Sequence, residues 1–211
     1  MSESSSNRRP LASRDTRWAA RASALLAGSS VTPNQISIVS VVFALIGAAL
    51  LVVWPTPAGL VLCAVCVQCR LLCNLLDGMV AVEGGKQSPL GALYNEFPDR
   101  IADSLFLVAL GHAALHPWLG WLAALLAALT AYVRVSGGML GLAQDFRGPM
   151  AKPQRMAVLT IACLAAALEL GVHGSRSALL VGVMVIAAGS ALTCMTRTRA
   201  IAAQLNAEFE P

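Results

Sequence analysis

Charge is scarce in this chain. Only 12% of its 211 residues are Asp, Glu, Lys or Arg, aromatic residues make up 5%, and there are two tyrosines and three histidines. A soluble all-helical protein needs polar helix faces, and the long runs here lack them, so that class does not fit. Nucleic-acid binding finds little support, because the net charge of +4 comes without an aromatic-rich soluble surface. The excess positive charge suits anionic headgroups or phosphates instead. No clear internal repeat and no second, soluble domain interrupt the pattern.

What the chain has is apolar length. Hydrophobic residues make up 57% of it, and runs long enough to cross a bilayer lie at 36–54, 58–76, about 91–110, 118–133, 156–170 and 178–194. The expected fold is an all-α integral membrane protein with six transmembrane helices. Six spans with a cytoplasmic N-terminus place all but Arg176 of the 15 Lys and Arg residues on or toward the cytoplasmic side. Both termini, the 74–99 region, Arg134 and the segment 147–155 then face the cytoplasm.

Four regions follow. Residues 1–12 are polar, Ser-rich and expected to be disordered. Residues 13–30, with Arg14, Arg17, Trp18, Arg21, Leu25 and Leu26, suit an N-terminal interfacial amphipathic helix. The six-helix domain covers 31–196, and 197–211 is a cytoplasmic tail. A signal peptide is not expected, because the first long apolar run starts late and five more follow. Thr32 can cap the first span with Pro33 at its first helical position. Pro55, Pro57, Pro117 and the stretch 171–175 mark breaks between spans.

Cys63, Cys66, Cys69 and Cys73 have the spacing of an iron–sulfur run, but a cluster needs a loop wrapped around it. The residues between them are mostly apolar, without glycine or proline, so they read as small buried residues along a spanning helix. Cys163 and Cys194 read the same way, and disulfides are not implied.

The acidic and amide residues are a different matter, since such groups in a membrane span are costly unless they coordinate something or line a polar cavity. Asn74 and Asp77 are three apart and share a face, while Asn95, Asp99 and Asp103 recur every four residues along the next span. The short loop between the two spans predicts antiparallel neighbours whose polar faces converge. Two carboxylates with amide oxygens, joined by Glu83, Glu96 or Asp103, make a hard-oxygen site for Mg2+ or Mn2+. An interhelical network neutralised by Arg70 and Arg100 is the plain alternative, but it leaves glycine at both Gly78 and Gly91 unexplained. Each glycine lets a ligand approach the helix backbone closely.

The run from Asn74 to Asp99 resembles the signature of the CDP-alcohol phosphatidyltransferase family, D-x2-D-G-x2-A-R-x8-G-x3-D-x3-D. Asn74, Asp77, Gly78, Ala81, Val82, Gly91, Asn95 and Asp99 fall in its register throughout. The resemblance implies that Asp77 is a metal ligand, that Gly78 and Ala81 belong to the wall receiving CDP, and that Gly91 admits the pyrophosphate. Asp99 is implied as metal-site residue and general base. Thr32-Pro33-Asn34 is similar to the Thr-Pro-Asn that opens the family's first span, which adds Asn34 to the nucleotide-side residues.

Three positions depart from the pattern: asparagine replaces aspartate at 74 and 95, and Val82 replaces the arginine. An amide lends an oxygen to a cation but no negative charge, so a two-ion site is less well neutralised unless Glu83, Glu96 or Asp103 compensates. The asparagine pair resembles a divergent bacterial branch of the family, and a variant site is expected rather than a dead one. Arg134, Lys152 and Arg155 can converge on an acceptor phosphate, as basic residues of resembling synthases do; positive-inside topology alone also predicts basic residues there.

The expected activity is phospholipid synthesis by metal-dependent transfer of a phosphatidyl group from CDP-diacylglycerol to a small phosphorylated alcohol such as glycerol 3-phosphate, releasing CMP. Inositol phosphate, serine or a choline-like alcohol are alternative acceptors, and a catalytically inactive lipid-binding membrane protein is the alternative role. Membrane phospholipids, a homodimer partner and a bacterial inner-membrane location with a cytoplasm-facing site are implied by the resemblance.

Overall fold

The structure is a computed structural model and describes residues 17–209; the region 1–12 and the first residues of the 13–30 segment lie outside the described residues. Seven α-helices and no strand occur among the described residues: α1 (Arg17–Ala27), α2 (Pro33–Val53), α3 (Pro57–Val82), α4 (Gly91–Ala113), α5 (Pro117–Met139), α6 (Lys152–His173) and α7 (Ser177–Phe209). Proline opens α2, α3 and α5, where its missing N–H is no loss. Thr32 caps α2 in a reciprocal box with Gln35, each side chain meeting the other's backbone N–H at 3.3 and 3.0 Å. Gly174, at φ +70°, ends α6 in the left-handed conformation.

Five helices, α2, α3, α5, α6 and α7, are long and apolar enough to cross a membrane. The other long helix, α4, carries Glu96, Asp99 and Arg100 in its N-terminal half and Asp103 at its middle. Three elements run further than hydropathy suggests. Helix α3 continues past 76 through the Asn74–Gly78 motif, α5 past 133, and α7 straight through the expected boundary at 196, so that the region set aside as a tail is helix as far as it is described. Apolar periodicity marks where a helix is buried in lipid or protein, not where its hydrogen bonding stops.

The six long helices close into a ring: α2 packs on α3 and α4, α4 on α5, α5 on α7, α7 on α6 and α6 on α3. Helix α1 lies against α3, burying Ala19 beside Leu75 and Met79. Helices α3 and α4, expected as antiparallel neighbours with converging polar faces, meet through polar side chains and not through direct helix packing. Helix α2 packs against both, and the facing sides of α3 and α4 are bridged by long polar side chains rather than by interlocked apolar ones.

Leu51, Leu60, Val67, Phe106, Leu110, Leu159, Leu179 and Ile186 form the core with many alanines, including Ala44, Ala102, Ala123 and Ala166. Small residues let helix backbones approach, which is how helices pack where lipid removes the hydrophobic drive between them. Large apolar side chains such as Ile38, Leu45, Trp121, Leu125, Ile161 and Leu168 remain exposed on the outside of the same helices. That arrangement suits a lipid surround.

The α4–α5 hairpin crosses closely. Leu115 sits at φ 62° in its turn, and a Cβ at Gly111 would lie 2.5 Å from the backbone of Gly120. Gly111→Ala should therefore lower the thermal midpoint in detergent, since overpacking costs about 1–3 kcal/mol. Gly171→Ala, where nothing lies within 4 Å of the added carbon, should not. Equal midpoints would contradict the close crossing.

Candidate active site

Helix α3 runs past its apolar stretch and so delivers Asn74, Asp77, Gly78 and Ala81 to the space between itself and α4. Helix α4 delivers Gly91, Asn95, Glu96 and Asp99 to the same space. Its Pro98 has no N–H to give the carbonyl of Tyr94, which removes one helical bond in the turn carrying Asn95 and Asp99. The space is a cavity of about 770 Å³. It is also lined by Asn34 at the start of α2 and by Arg134, Lys152 and Arg155 from α5 and α6. Residues expected on three separate sequence grounds thus share one cavity. Gly91 has only Ser88 Oγ, at 3.8 Å, near the position of a Cβ, so the protein itself does not require glycine there.

Asp77 is buried, and its Oδ2 accepts a 2.6 Å hydrogen bond from Ser37 of α2. It makes no ion pair among the described residues. Asp99 is also buried and is surrounded by donors. Its Oδ1 accepts from Arg70 Nη2 at 3.1 Å and from Asn74 Nδ2 at 2.5 Å, while Lys152 Nζ donates to its Oδ2. Arg100 Nη2 stands 3.8 Å from that same oxygen.

Asp103 lies one turn deeper on α4, 1% exposed, and is not among the cavity-lining residues. Its two oxygens pair with different arginines, Oδ1 with Arg70 Nη2 at 2.8 Å and Oδ2 with Arg155 Nη2 at 2.9 Å. Of the two arginines named from sequence for an interhelical network, Arg70 pairs with Asp103 and Arg100 does not. Arg155 is equally buried, and its Nη1 donates to Thr130 Oγ1 and to the carbonyl of Met150. Glu83 is exposed at the C-terminal end of α3, away from the cavity lining. Glu96 lines the cavity but pairs with Arg134, whose other nitrogen donates to Gln144 and whose guanidinium lies 5.5 Å from the Phe146 ring centre.

Several participants escaped the sequence reading. Ser37 lies in the first apolar run and carries no spacing signal that singles it out. Arg197 was assigned to the tail, yet α7 carries it into the cavity wall, where it donates to the carbonyls of Thr130 at 2.7 Å and Arg147 at 2.8 Å. Arg147 in turn is held by Asp145, which accepts from its backbone N at 2.8 Å and its Nε at 3.0 Å. Partial burial works to raise the Asp145 carboxyl, and these bonds outweigh it and hold the group below the usual carboxylate range. Lys86, from the α3–α4 loop, donates to the carbonyls of Leu26, Ser29 and Val31 and ties that loop to the α1–α2 connection.

The oxygen donors facing the cavity are hard ones: the carboxylates of Asp77 and Asp99 and the amide oxygens of Asn74 and Asn95. They fit Mg2+ or Mn2+ by type. No three carboxylate, histidine or cysteine side chains among the described residues converge on one point, so the amides would have to complete the set. The cysteines of α3 are free thiols; Cys63 Sγ lies 4.0 Å from Cys163 Sγ.

Comparison with known proteins agrees with this geometry. The profile of CDP-alcohol phosphatidyltransferases matches residues 30–199. An archaetidylinositol phosphate synthase of Aeropyrum pernix is 38% identical over 94 residues, 43% of this chain and 47% of that protein, so the match spans about half of the archaeal protein's length. The inner membrane protein YnbA of Escherichia coli K12 is 29% identical over 139 residues, 65% of this chain and 69% of that protein. Among solved structures, the phosphatidylinositol phosphate synthase PgsA1 of Mycobacterium tuberculosis with CDP-DAG bound superposes with a TM-score of 0.73 at 23% identity, covering 88% of this chain and 94% of that one. The same protein with manganese and citrate gives 0.71 at 22%, covering 87% and 88%. At these identities the structural likeness is one of fold. The matched profile, the helix ring and the cavity lined by the signature positions together make this chain a member of the CDP-alcohol phosphatidyltransferase family.

Proposed function

We propose that the protein is a membrane-embedded transferase that moves a phosphatidyl group from CDP-diacylglycerol to a small alcohol carrying a phosphate, with release of CMP. Glycerol 3-phosphate and inositol phosphate are both candidate acceptors, and the two inositol-phosphate synthases among the relatives favour the second. The observation that carries the reading is the meeting of Asn74, Asp77, Gly78, Ala81, Gly91, Asn95 and Asp99 with Arg134 and Lys152 around one cavity.

In this reading α4 is the sixth span, its charged half facing the ring interior, and α1 lies in the interface. Both termini and the cavity mouth face the cytoplasm, with the lipid tails left in the bilayer. Homodimerisation and a bacterial inner-membrane location belong to the same proposal.

A bound Mg2+ or Mn2+ would supply charge neutralisation on the pyrophosphate, held by Asp77 with oxygens from Asn74, Asn95 and Asp99. Gly78, Ala81 and Gly91 leave room beside the helix backbones for the nucleotide. Lys152 has three donors, one of them now on Asp99, and the others can take an acceptor phosphate. As the phosphate draws the ammonium away, Oδ2 of Asp99 becomes able to accept the proton of the acceptor hydroxyl. The hydroxyl oxygen then bonds to the phosphorus bearing diacylglycerol, and the bond from that phosphorus to CMP breaks. No covalent enzyme intermediate is involved.

Purified protein incubated with CDP-diacylglycerol and a panel of alcohols, with lipid products read by mass spectrometry, tests the activity. CMP release with no alcohol in the panel, or none that depends on a divalent cation, would sink it. Asp77→Asn and Asp99→Asn should each lower turnover by about 10²- to 10⁴-fold while the protein stays folded. Asp103→Asn should behave differently and lower the thermal midpoint, because unpairing a buried charge costs about 3–5 kcal/mol.

The basic residues also separate. Lys152→Gln should raise the acceptor KM roughly ten- to a hundredfold, the equivalent of a charged contact of about 1.5–3 kcal/mol, with little change in the KM for CDP-diacylglycerol. Arg155→Gln should chiefly destabilise, since Arg155 is committed to Asp103. An unchanged acceptor KM in Lys152→Gln would defeat the phosphate role.

A further inference from the structure

We infer that the site takes a single divalent cation, at Asp77, and that a fixed guanidinium, Arg70, supplies at Asp99 the positive charge that a second ion would bring. This rests on the transferase reading above and specifies how its cation site is built. Both oxygens of Asp99 are already engaged by cations and an amide N–H: Arg70 and Asn74 on Oδ1, Lys152 on Oδ2. Lys152 is partly exposed and can leave. Arg70 cannot, because it is 0% exposed and the same Nη2 that meets Asp99 is held by Asp103 at 2.8 Å, itself anchored to Arg155.

Asp77 is the contrast. It accepts from a neutral hydroxyl, Ser37, and among the described residues no Lys or Arg stands within ion-pair distance of it, Lys152 acting on it only from further away. An incoming cation therefore displaces no charged partner there. Asn74 spends its N–H2 on Asp99 and keeps its carbonyl oxygen for a ligand, while Asn95 is an exposed residue of the cavity wall. Each is a ligand without charge.

Charge balance points the same way. The cavity is lined by three carboxylates, Asp77, Glu96 and Asp99, against six cations, Lys86, Arg100, Arg134, Lys152, Arg155 and Arg197. A wall already this positive welcomes pyrophosphate and acceptor phosphate. It opposes a second divalent ion, since repulsion between like charges grows as water is excluded.

The full-length protein in lipid nanodiscs with CDP-diacylglycerol should be titrated with Mn2+, the free ion being followed by electron paramagnetic resonance and lipid-only discs subtracted. Binding should saturate at one ion per protomer with the spectrum of an isolated Mn2+, and Asp77→Asn should lose it. Two ions, an exchange-coupled spectrum, or no bound ion in the unaltered protein would overturn the inference. The double variant Asn74→Asp/Asn95→Asp returns the missing charges and should take up a second ion; a folded double variant that still binds one overturns the charge argument. If it fails to fold, the count in the unaltered protein decides. CMP release in the same discs separates the two proposals: two ions with CMP release defeats this inference and leaves the transferase standing, whereas one ion without CMP release for any acceptor does the reverse.

Discussion

Asp103 holds two arginines from two other helices inside a membrane-type bundle, and the site depends on it. A buried carboxylate or guanidinium without a partner would be too costly to keep charged. Arg70 leaves its Nε and Nη1 without hydrogen-bond partners, so its compensation comes from Asp103 and Asp99. Arg155 closes the chain by reaching Thr130 on α5 and the Met150 carbonyl ahead of α6. One carboxylate thereby fixes α3, α4 and α6 relative to one another at the depth where α4 is most polar.

That network also explains why there is a cavity. Helices α3 and α4 are spaced by α2, which packs on both, and the side chains that cross the remaining gap are long and charged. Apolar packing would have closed the gap. Closer to the surface, where Asn74, Asp77 and Asn95 take over from the arginine pairs, the crossing side chains become shorter and the gap opens into the space lined by Gly78 and Gly91. Depth along the same two helices therefore separates a structural layer from a layer able to receive a ligand.

Much of this was legible in the residues. The 74–99 spacing located both walls of the cavity, and the six apolar runs located the six long helices of the ring. What stayed hidden was pairing across helices. Nothing in sequence spacing says that Asp103 would meet Arg70 and Arg155 rather than Arg100, because i, i+3 and i, i+4 relations report neighbours on one helix only. The same limit hid Ser37, forty residues from Asp77. Arg197 was missed for another reason: hydropathy ends the last span near 194, while backbone hydrogen bonding carries α7 onward and keeps that arginine in register with Thr130.

The departures from the family signature look different once these pairs are known. With aspartate at 95, helix α4 would set three carboxylates at four-residue intervals on one face, the outermost exposed in the cavity wall, and Asn95 keeps an oxygen there without the charge. Asn74 does something more specific: its amide N–H2 donates to Asp99 Oδ1 beside Arg70, a contact that an ionised aspartate would turn into carboxylate facing carboxylate. The two departures and the two buried arginines thus belong to one solution of the same electrostatic problem, in which Asp99 is stabilised from within the protein and Asp77, among the described residues, is the cavity carboxylate outside every ion pair.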